Sequence, residues 1–396
     1  MSAPILVLNV GSSSIKFALF DTLHHPLPRQ PVWHGKVEGM HSPQPTYTDS
    51  SSARPRPLTL PADGANRAAL ACIHEHVQRH LEGRDLRAVA HRVVHGGTRY
   101  SAPTRIDAAV LADLRTYVPL APLHQPFALE AIAALLETNP ALAQVACFDT
   151  AFHASMPTVE CMLPLPYSAW QRGLRRYGFH GLSYEYVSIA LAERHGDAAR
   201  GRTIVAHLGS GASLCGMQAL RSMATTMGFS ALDGLMMGTR CGALDPGAVL
   251  HLMEVEKLTL ERVGQILYHE SGLLGVSGVS ADPRALLPLE ADNAQVREAL
   301  ALYVRRIVRE IGAIAAALGG LDMLVFTAGI GEHNAVIRAR VCAGLAFLGV
   351  ELDDDANATH AATISTASAR VRVGVEPTNE EWIAARDALA VVTAED

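Results

Sequence analysis

Residues 5–21, ILVLNVGSSSIKFALFD, decide the architecture. A β-rich apolar run meets a Gly-Ser bend and a second apolar run follows at once, which predicts strand, tight turn, strand. A related stretch stands at residues 203–218, TIVAHLGSGASLCGMQ. Aligning Gly11 with Gly209 matches Leu6-Val7 to Ile204-Val205, Asn9 to His207 and Ser12 to Ser210. Such a pair, half a chain apart, reads either as two related domains facing one another or as a coincidence of two Gly-Ser turns. Outward from these hairpins, 67–82 and 126–138 read as helices, and 85–95 and 144–150 as buried strands ending in polar residues. Residues 39–61, rich in Pro, Ser and Thr, read as loops and edge strands. Residues 293–318 form a long helix, Met323–Thr327 a strand running into a glycine turn at 328–331, and another helix follows Asn334. Alternating strands and helices give an α/β fold with a cleft between the halves, and functional side chains are expected at the carboxyl ends of the strands.

The chain of 396 residues is long enough for two domains. With 49% hydrophobic and 18% charged residues it is globular rather than disordered. The net charge of −6 offers no basic excess for a nucleic-acid partner. Lys16, Lys36 and Lys257 are the only lysines among 33 basic residues, so anion binding must lean on arginine forks. The six cysteines are scattered without a C-x-x-C pair, which predicts reduced thiols in the cytoplasm. The first ten residues lack the basic region of a signal peptide. The most apolar window, 311–326, is broken by Gly319-Gly320 and Asp322, so no membrane span is predicted.

No G-x-x-x-x-G-K-[ST] occurs, and GSGASL at 209–214 and GIGEHN at 329–334 both lack the last glycine of a dinucleotide fingerprint. What remains is three glycine turns, at 11, 209–211 and 329–331, each following an apolar strand. Such turns bring backbone N–H groups close to an anion, or are plain hairpins. His91 with His95, and His76 with His80, lack zinc-like partners and read as structural or solvent-facing histidines. His269-Glu270 has no second histidine, and no G-x-S-x-G elbow is present. The remaining polar groups fall in short strings: HRVVHGG at 91–97, PLHQP at 122–126, FDTAFH at 148–153, RYGFHGLS at 176–183, MMGTRCGALDP at 236–246 and PTNEEWIAARD at 377–387.

These strings, in this order and from Asn9 to Asp387, resemble the acetokinase family, the acetate kinases of the actin, heat-shock ATPase and sugar-kinase superfamily. The resemblance implies two duplicated ribonuclease-H-like (actin-like ATPase) α/β domains with the active site in the cleft between them. One would span 1–150 with a C-terminal segment at 381–396, the other 151–380. It implies reversible, ATP-dependent phosphorylation of acetate, Mg²⁺ (or Mn²⁺), ATP and ADP as cosubstrates, and a homodimer. A carboxylate is already ionised at neutral pH and needs no base; its difficulty is repulsion from the triphosphate. By resemblance, Arg92 and Arg240 bracket the carboxylate and the phosphoryl group. His180 donates a hydrogen bond to that group, supported by His124, and Asn9, Asp149 and Glu380 organise the metal. Ser12, Ser14 and Lys16 belong to the first glycine turn and would contact phosphate or hold that turn, and His207, Gly209, Ser210 and Gly211 belong to the second, on the nucleotide side. Gly329, Ile330 and Gly331, with Asp282 and Arg284, take the adenosine side, and Val94, Leu123 and Phe179 line the acyl pocket.

The chain departs from the family pattern at Ser210, where Asn is usual, and at Ala224, Cys241, Ala243 and His333. Ala231 replaces a proline near the acyl pocket, which leaves a propionate- or butyrate-preferring kinase as an alternative. A nucleotide-driven switch on the same fold is a remoter one.

Overall fold

The computed structural model describes residues 3–394 apart from 62 and 123. The chain divides into two compact units, Met1–Ala151 with Asn379–Asp396, and Phe152–Thr378. In the first, β1 (Ile5–Val10) and β2 (Ser14–Phe20) form the predicted hairpin. Next come β3 (Trp33–Glu38), β4 (Thr46–Asp49), β5 (Ser52–Pro57), β6 (Ala88–Val93), β7 (Thr104–Arg105) and β8 (Ala143–Phe148). They make one sheet in the order β5-β4-β3-β2-β1-β6-β8-β7. The second unit holds β9 (Thr203–Leu208), β10 (Ala212–Gln218), β11 (Arg221–Thr225), β12 (Met323–Thr327) and β13 (Arg372–Val375), ordered β11-β10-β9-β12-β13.

The two sheets answer the question left open by the paired hairpins. In each, the first strand pairs antiparallel with the second and parallel with a later strand, which pairs parallel with one more. β3-β2-β1-β6-β8 therefore corresponds to β11-β10-β9-β12-β13. Coincidence in two Gly-Ser turns would not reproduce the crossovers. The turns differ by one residue, since Val10 pairs with Ile15 across 11–14 while Leu208 pairs with Ala212 across 209–211.

Local chemistry accounts for the helices. Helix Ala65–Leu81 buries Ala65, Ala69, Ile73, Val77 and Leu81, a four-residue spacing that keeps one face on the core with Leu6, Leu8 and Phe17. Helix Ala294–Leu318 starts at Asn293, whose side chain accepts from the N–H groups of Gln295 and Val296 at 3.0 and 3.1 Å. It stops at Gly319, φ +73°, a left-handed cap suited to glycine. Helix Glu380–Thr393 packs on β1, β6 and β8, so the chain's last helix completes the first unit's core. One expectation fails: residues 328–331 form no glycine turn. Helix Ala328–His333 begins directly after β12, and neither Gly329 nor Gly331 has a positive φ. Among the described residues, no helix is long and apolar enough to cross a membrane.

Of the two readings of His91 and His95, structural or solvent-facing, burial selects the first, at 1% and 0% exposure. His91 Nε2 lies 2.8 Å from Gln144 Oε1, and burial pushes both histidines down to about 4. Their folded values lie below that of the open chain, so the unfolded state takes up protons first as pH falls. Stability is full above about pH 6.5 and declines through the window down to about 4, by roughly 1.4 kcal/mol per pH unit for each histidine. Urea unfolding at pH 7.5, 6 and 5 is expected to give falling midpoints, with a shallower fall in His91→Gln.

Candidate active site

In the first unit, four residues assigned from sequence meet. Arg92, on β6, grips Asp149 at the end of β8: Nε donates to Oδ1 at 2.9 Å and Nη2 to Oδ2 at 2.6 Å. Its Nη1 reaches Asn9 Oδ1 on β1 and Glu380 Oε2, each at 3.5 Å. Asp149 is 2% exposed, which an ionised carboxylate tolerates because the guanidinium fork matches both oxygens. Burial alone would lower the Arg92 value, but Asp149 and then Glu380 more than offset it and raise it. Three parallel-adjacent strand ends and one helix start thus supply an amide, two carboxylates and a guanidinium.

These are hard oxygen donors of the kind Mg²⁺ accepts. Among the described residues, no group of three His, Cys, Asp or Glu side chains stands close enough to hold a metal alone. Two carboxylates and an amide are donors that would hold such an ion only in part, with water completing its shell.

The first turn adjoins this group. Asn9 and Lys16 face each other in register, Gly11 N–H donates to Ser14 O at 2.9 Å, and Ser12 and Lys16 are exposed. The residues that follow Val94 and His124 are tied by a reciprocal clamp. His95 N–H donates to Gln125 Oε1 at 3.2 Å, and Gln125 Nε2 donates to His95 O at 3.0 Å. Leu123 lies outside the described residues.

The second unit carries a second cluster. His180 sits at φ +59°, a conformation few side chains adopt, immediately before helix Gly181–His195. Its ring stacks on that of His207, with centroids 4.1 Å apart and planes 12° from parallel. His180 Nδ1 is 2.8 Å from Ser213 Oγ, and His207 Nδ1 is 2.8 Å from Ser183 Oγ. A methyl placed on Gly211 would lie 3.2 Å from His180 Nε2 and 3.7 Å from Arg240 Nη1. The 209–211 turn is therefore where imidazole and guanidinium converge.

Arg240 donates from Nη1 to Ala231 O at 2.9 Å and lies 3.8 Å from Met237 Sδ. No carboxylate among the described residues pairs with it, and burial pushes its value down. It is a half-buried cation whose charge is met by a carbonyl and a thioether. The carbonyl of Ala231 is what holds it.

The third glycine motif joins this cluster by close approach, a methyl on Gly209 lying 3.7 Å from Ala328 Cβ. Glu332 Oε1 accepts from Ala328 N–H at 2.8 Å and from Thr378 N–H at 3.1 Å. Arg338, 0% exposed, donates to the carbonyls of Gly331 and Glu332 at 2.9 and 2.8 Å and to Asn357 Oδ1 and O at 2.8 and 2.7 Å. Asp282 and Arg284 are not drawn into the cluster by any of these bonds. They pair with each other at 2.6 Å, and Asp282 caps the short helix Pro283–Leu286. Phe179 is 2% exposed, and its carbonyl lies 2.9 Å from His153 Nε2. Sequence reasoning missed Ser213, Tyr184, Ser183, Thr378, Glu332 and Arg338. Ser183, Ser213, Thr378 and Glu332 lay within quoted motif strings, and their signal was a polar side chain beside a buried run.

The duplicated α/β sheets, each with the same strand crossovers, define an actin-like ATPase fold. The family comparison is specific: the acetokinase family model matches residues 4–386, and the chain belongs to that family. It is 48% identical over 390 residues to the acetate kinase of Rhodopseudomonas palustris, covering 98% of both chains. Acetate kinase from Rhizobium meliloti is 46% identical over 404 residues, covering 98% of each chain. Among solved structures, the acetate kinase of Porphyromonas gingivalis has a TM-score of 0.86 at 34% identity, with 98% of this chain and 100% of that one covered. A propionate kinase from Francisella tularensis reaches 0.88 at 32% identity, with 97% and 98% covered.

Gly211→Ala tests the convergence. The variant is expected to keep its urea midpoint while its affinity for ADP, read by isothermal titration, falls by about tenfold, since a methyl takes the place of an anion oxygen.

Proposed function

We propose that the chain transfers the γ-phosphoryl group of ATP to acetate, giving acetyl phosphate and ADP, reversibly. The observation that carries this reading is Arg240, a half-buried guanidinium without a carboxylate, converging with His180 on the 209–211 turn. An acetate oxygen attacks the γ-phosphorus in line while the bond to the β–γ bridging oxygen breaks, and ADP leaves with that electron pair. No proton moves, because the nucleophile is ionised well below neutral pH. The protein's task is alignment and neutralisation of two anions.

In this reading Arg92 and Arg240 bind the carboxylate and the phosphoryl oxygens, and His180 donates to the phosphoryl group as it flattens. His124 supports it. Ser12, Ser14 and Lys16 on one turn and His207, Gly209, Ser210 and Gly211 on the other hold phosphates. Gly329, Ile330 and Gly331, with Asp282 and Arg284, receive the adenosine. Val94, Leu123 and Phe179 are the candidates for the acyl pocket that the family resemblance implies. Asn9, Asp149 and Glu380 would hold Mg²⁺, partly through water; when bound, the ion supplies charge to offset the phosphates. The curated relatives named for acetate place acetate first. The similarity to a propionate kinase keeps propionate as a second acceptor, since one methylene is worth only about 1–3 kcal/mol. A cytoplasmic homodimer completes the reading and rests on family membership.

Arg240→Ala is expected to lower kcat by about 10²–10³ with an unchanged unfolding midpoint. Arg92→Ala is expected to lower kcat similarly and also stability, because it strands the buried Asp149 carboxylate. Trapping acyl phosphate with hydroxylamine, with acids of two to four carbons, reads both turnover and preference. Near-normal turnover of Arg240→Ala would overturn the assignment, and a higher kcat/KM for propionate would reverse the order of acceptors.

A further inference from the structure

Two hydroxyl relays of the same design end on the stacked imidazoles. Tyr184 is 0% exposed, and its OH lies 2.5 Å from Ser213 Oγ, its one hydrogen-bond partner among the described residues. Were the phenol to accept there, its own proton would be buried without a partner, at a cost of about 1–3 kcal/mol. The phenol therefore donates, and burial, which holds its proton firmly, agrees. Ser213 Oγ, having accepted, is left to donate to His180 Nδ1 at 2.8 Å. On the other side Thr378 Oγ1 donates to Ser183 Oγ at 2.8 Å, which leaves the Ser183 hydroxyl proton for His207 Nδ1 at 2.8 Å. Each neutral ring then carries its proton on Nε2.

Those two nitrogens flank the same turn. A methyl on Gly211 would lie 3.2 Å from His180 Nε2, and one on Gly209 3.7 Å from His207 Nε2. We propose that Tyr184 and Thr378 are positioning residues: acting through Ser213 and Ser183, they fix both imidazoles as Nε2–H tautomers and aim two N–H donors at the 209–211 turn. With the opposite tautomer, Nε2 would present a lone pair to an incoming phosphate oxygen and repel it. The proposal concerns the same site and rests on the reading of His180 as a donor to the transferring phosphoryl group.

The test separates the two. Nitrogen-15 correlation spectra of histidine-labelled protein without substrate report which ring nitrogen carries the proton, with His180 and His207 assigned through the resonances lost in His180→Asn and His207→Asn. Wild type is expected to show pyridine-type Nδ1 and pyrrole-type Nε2 for both rings. In Tyr184→Phe the Ser213 hydroxyl can turn and accept, so His180 is expected to shift toward the Nδ1–H form while His207 stays. In the same variant kcat is expected to fall about tenfold, with KM for acetate and ATP within about twofold of wild type. Ser213→Thr, which keeps the hydroxyl, is expected to retain the wild-type spectrum, and Ser213→Ala to lose it. A pyrrole-type Nδ1 on either ring in wild type overturns the proposal, and that spectrum decides even if a variant fails to fold. An unchanged His180 signal in Tyr184→Phe overturns it as well. A shifted tautomer with unchanged kcat upholds the relay and removes His180 from the chemical step instead.

Discussion

Arginine charge is held in this chain under two opposed conditions, and the chemistry follows from the contrast. Arg92 is over-answered: Asp149 takes both edges of its fork, with Asn9 and Glu380 within 3.5 Å. Arg240 is under-answered, with a carbonyl and a thioether where a carboxylate would be expected. A paired cation organises its surroundings at little net cost, whereas a partly desolvated one without a counter-charge stores unfavourable energy that an anion relieves. The first gathers oxygen donors around one guanidinium, and the second leaves a guanidinium held by a carbonyl and a thioether alone.

The rigid parts were legible because their signals are local. Two Gly-Ser bends between β-rich runs predicted both hairpins, and Met323–Thr327 emerged with its limits intact because an apolar run is bounded by Asp322 and Ala328-Gly329. The long helix was marked at both ends, by Asn293 and Gly319. The 329–331 motif misled, since glycine after a strand reads as a turn, while Glu332 can close back on Ala328 N–H and start a helix instead. Asp282 and Arg284 were assigned to the nucleotide, yet two residues apart they also satisfy each other.

The supporting residues were illegible for a different reason. Ser213 matters because Tyr184, in another element, donates to it, and Thr378 reaches Ser183 across 195 positions of chain. Arg338 reads as one more arginine among many until Gly331, Glu332 and Asn357 are seen around it. A role defined by a partner's proton leaves no periodicity to find.

Helix Glu380–Thr393 has a consequence for how the chain is made. Its packing on β1, β6 and β8 means that the sheet begun by the earliest residues keeps an apolar flank open while everything up to residue 379 is synthesised. On the ribosome the second unit is complete at residue 378, before the first unit has its last helix, although all the strands of the first unit are made earlier. The early sheet thus waits longest for its covering element, and a premature stop codon near residue 378 would release a polypeptide with one finished half and one adhesive one.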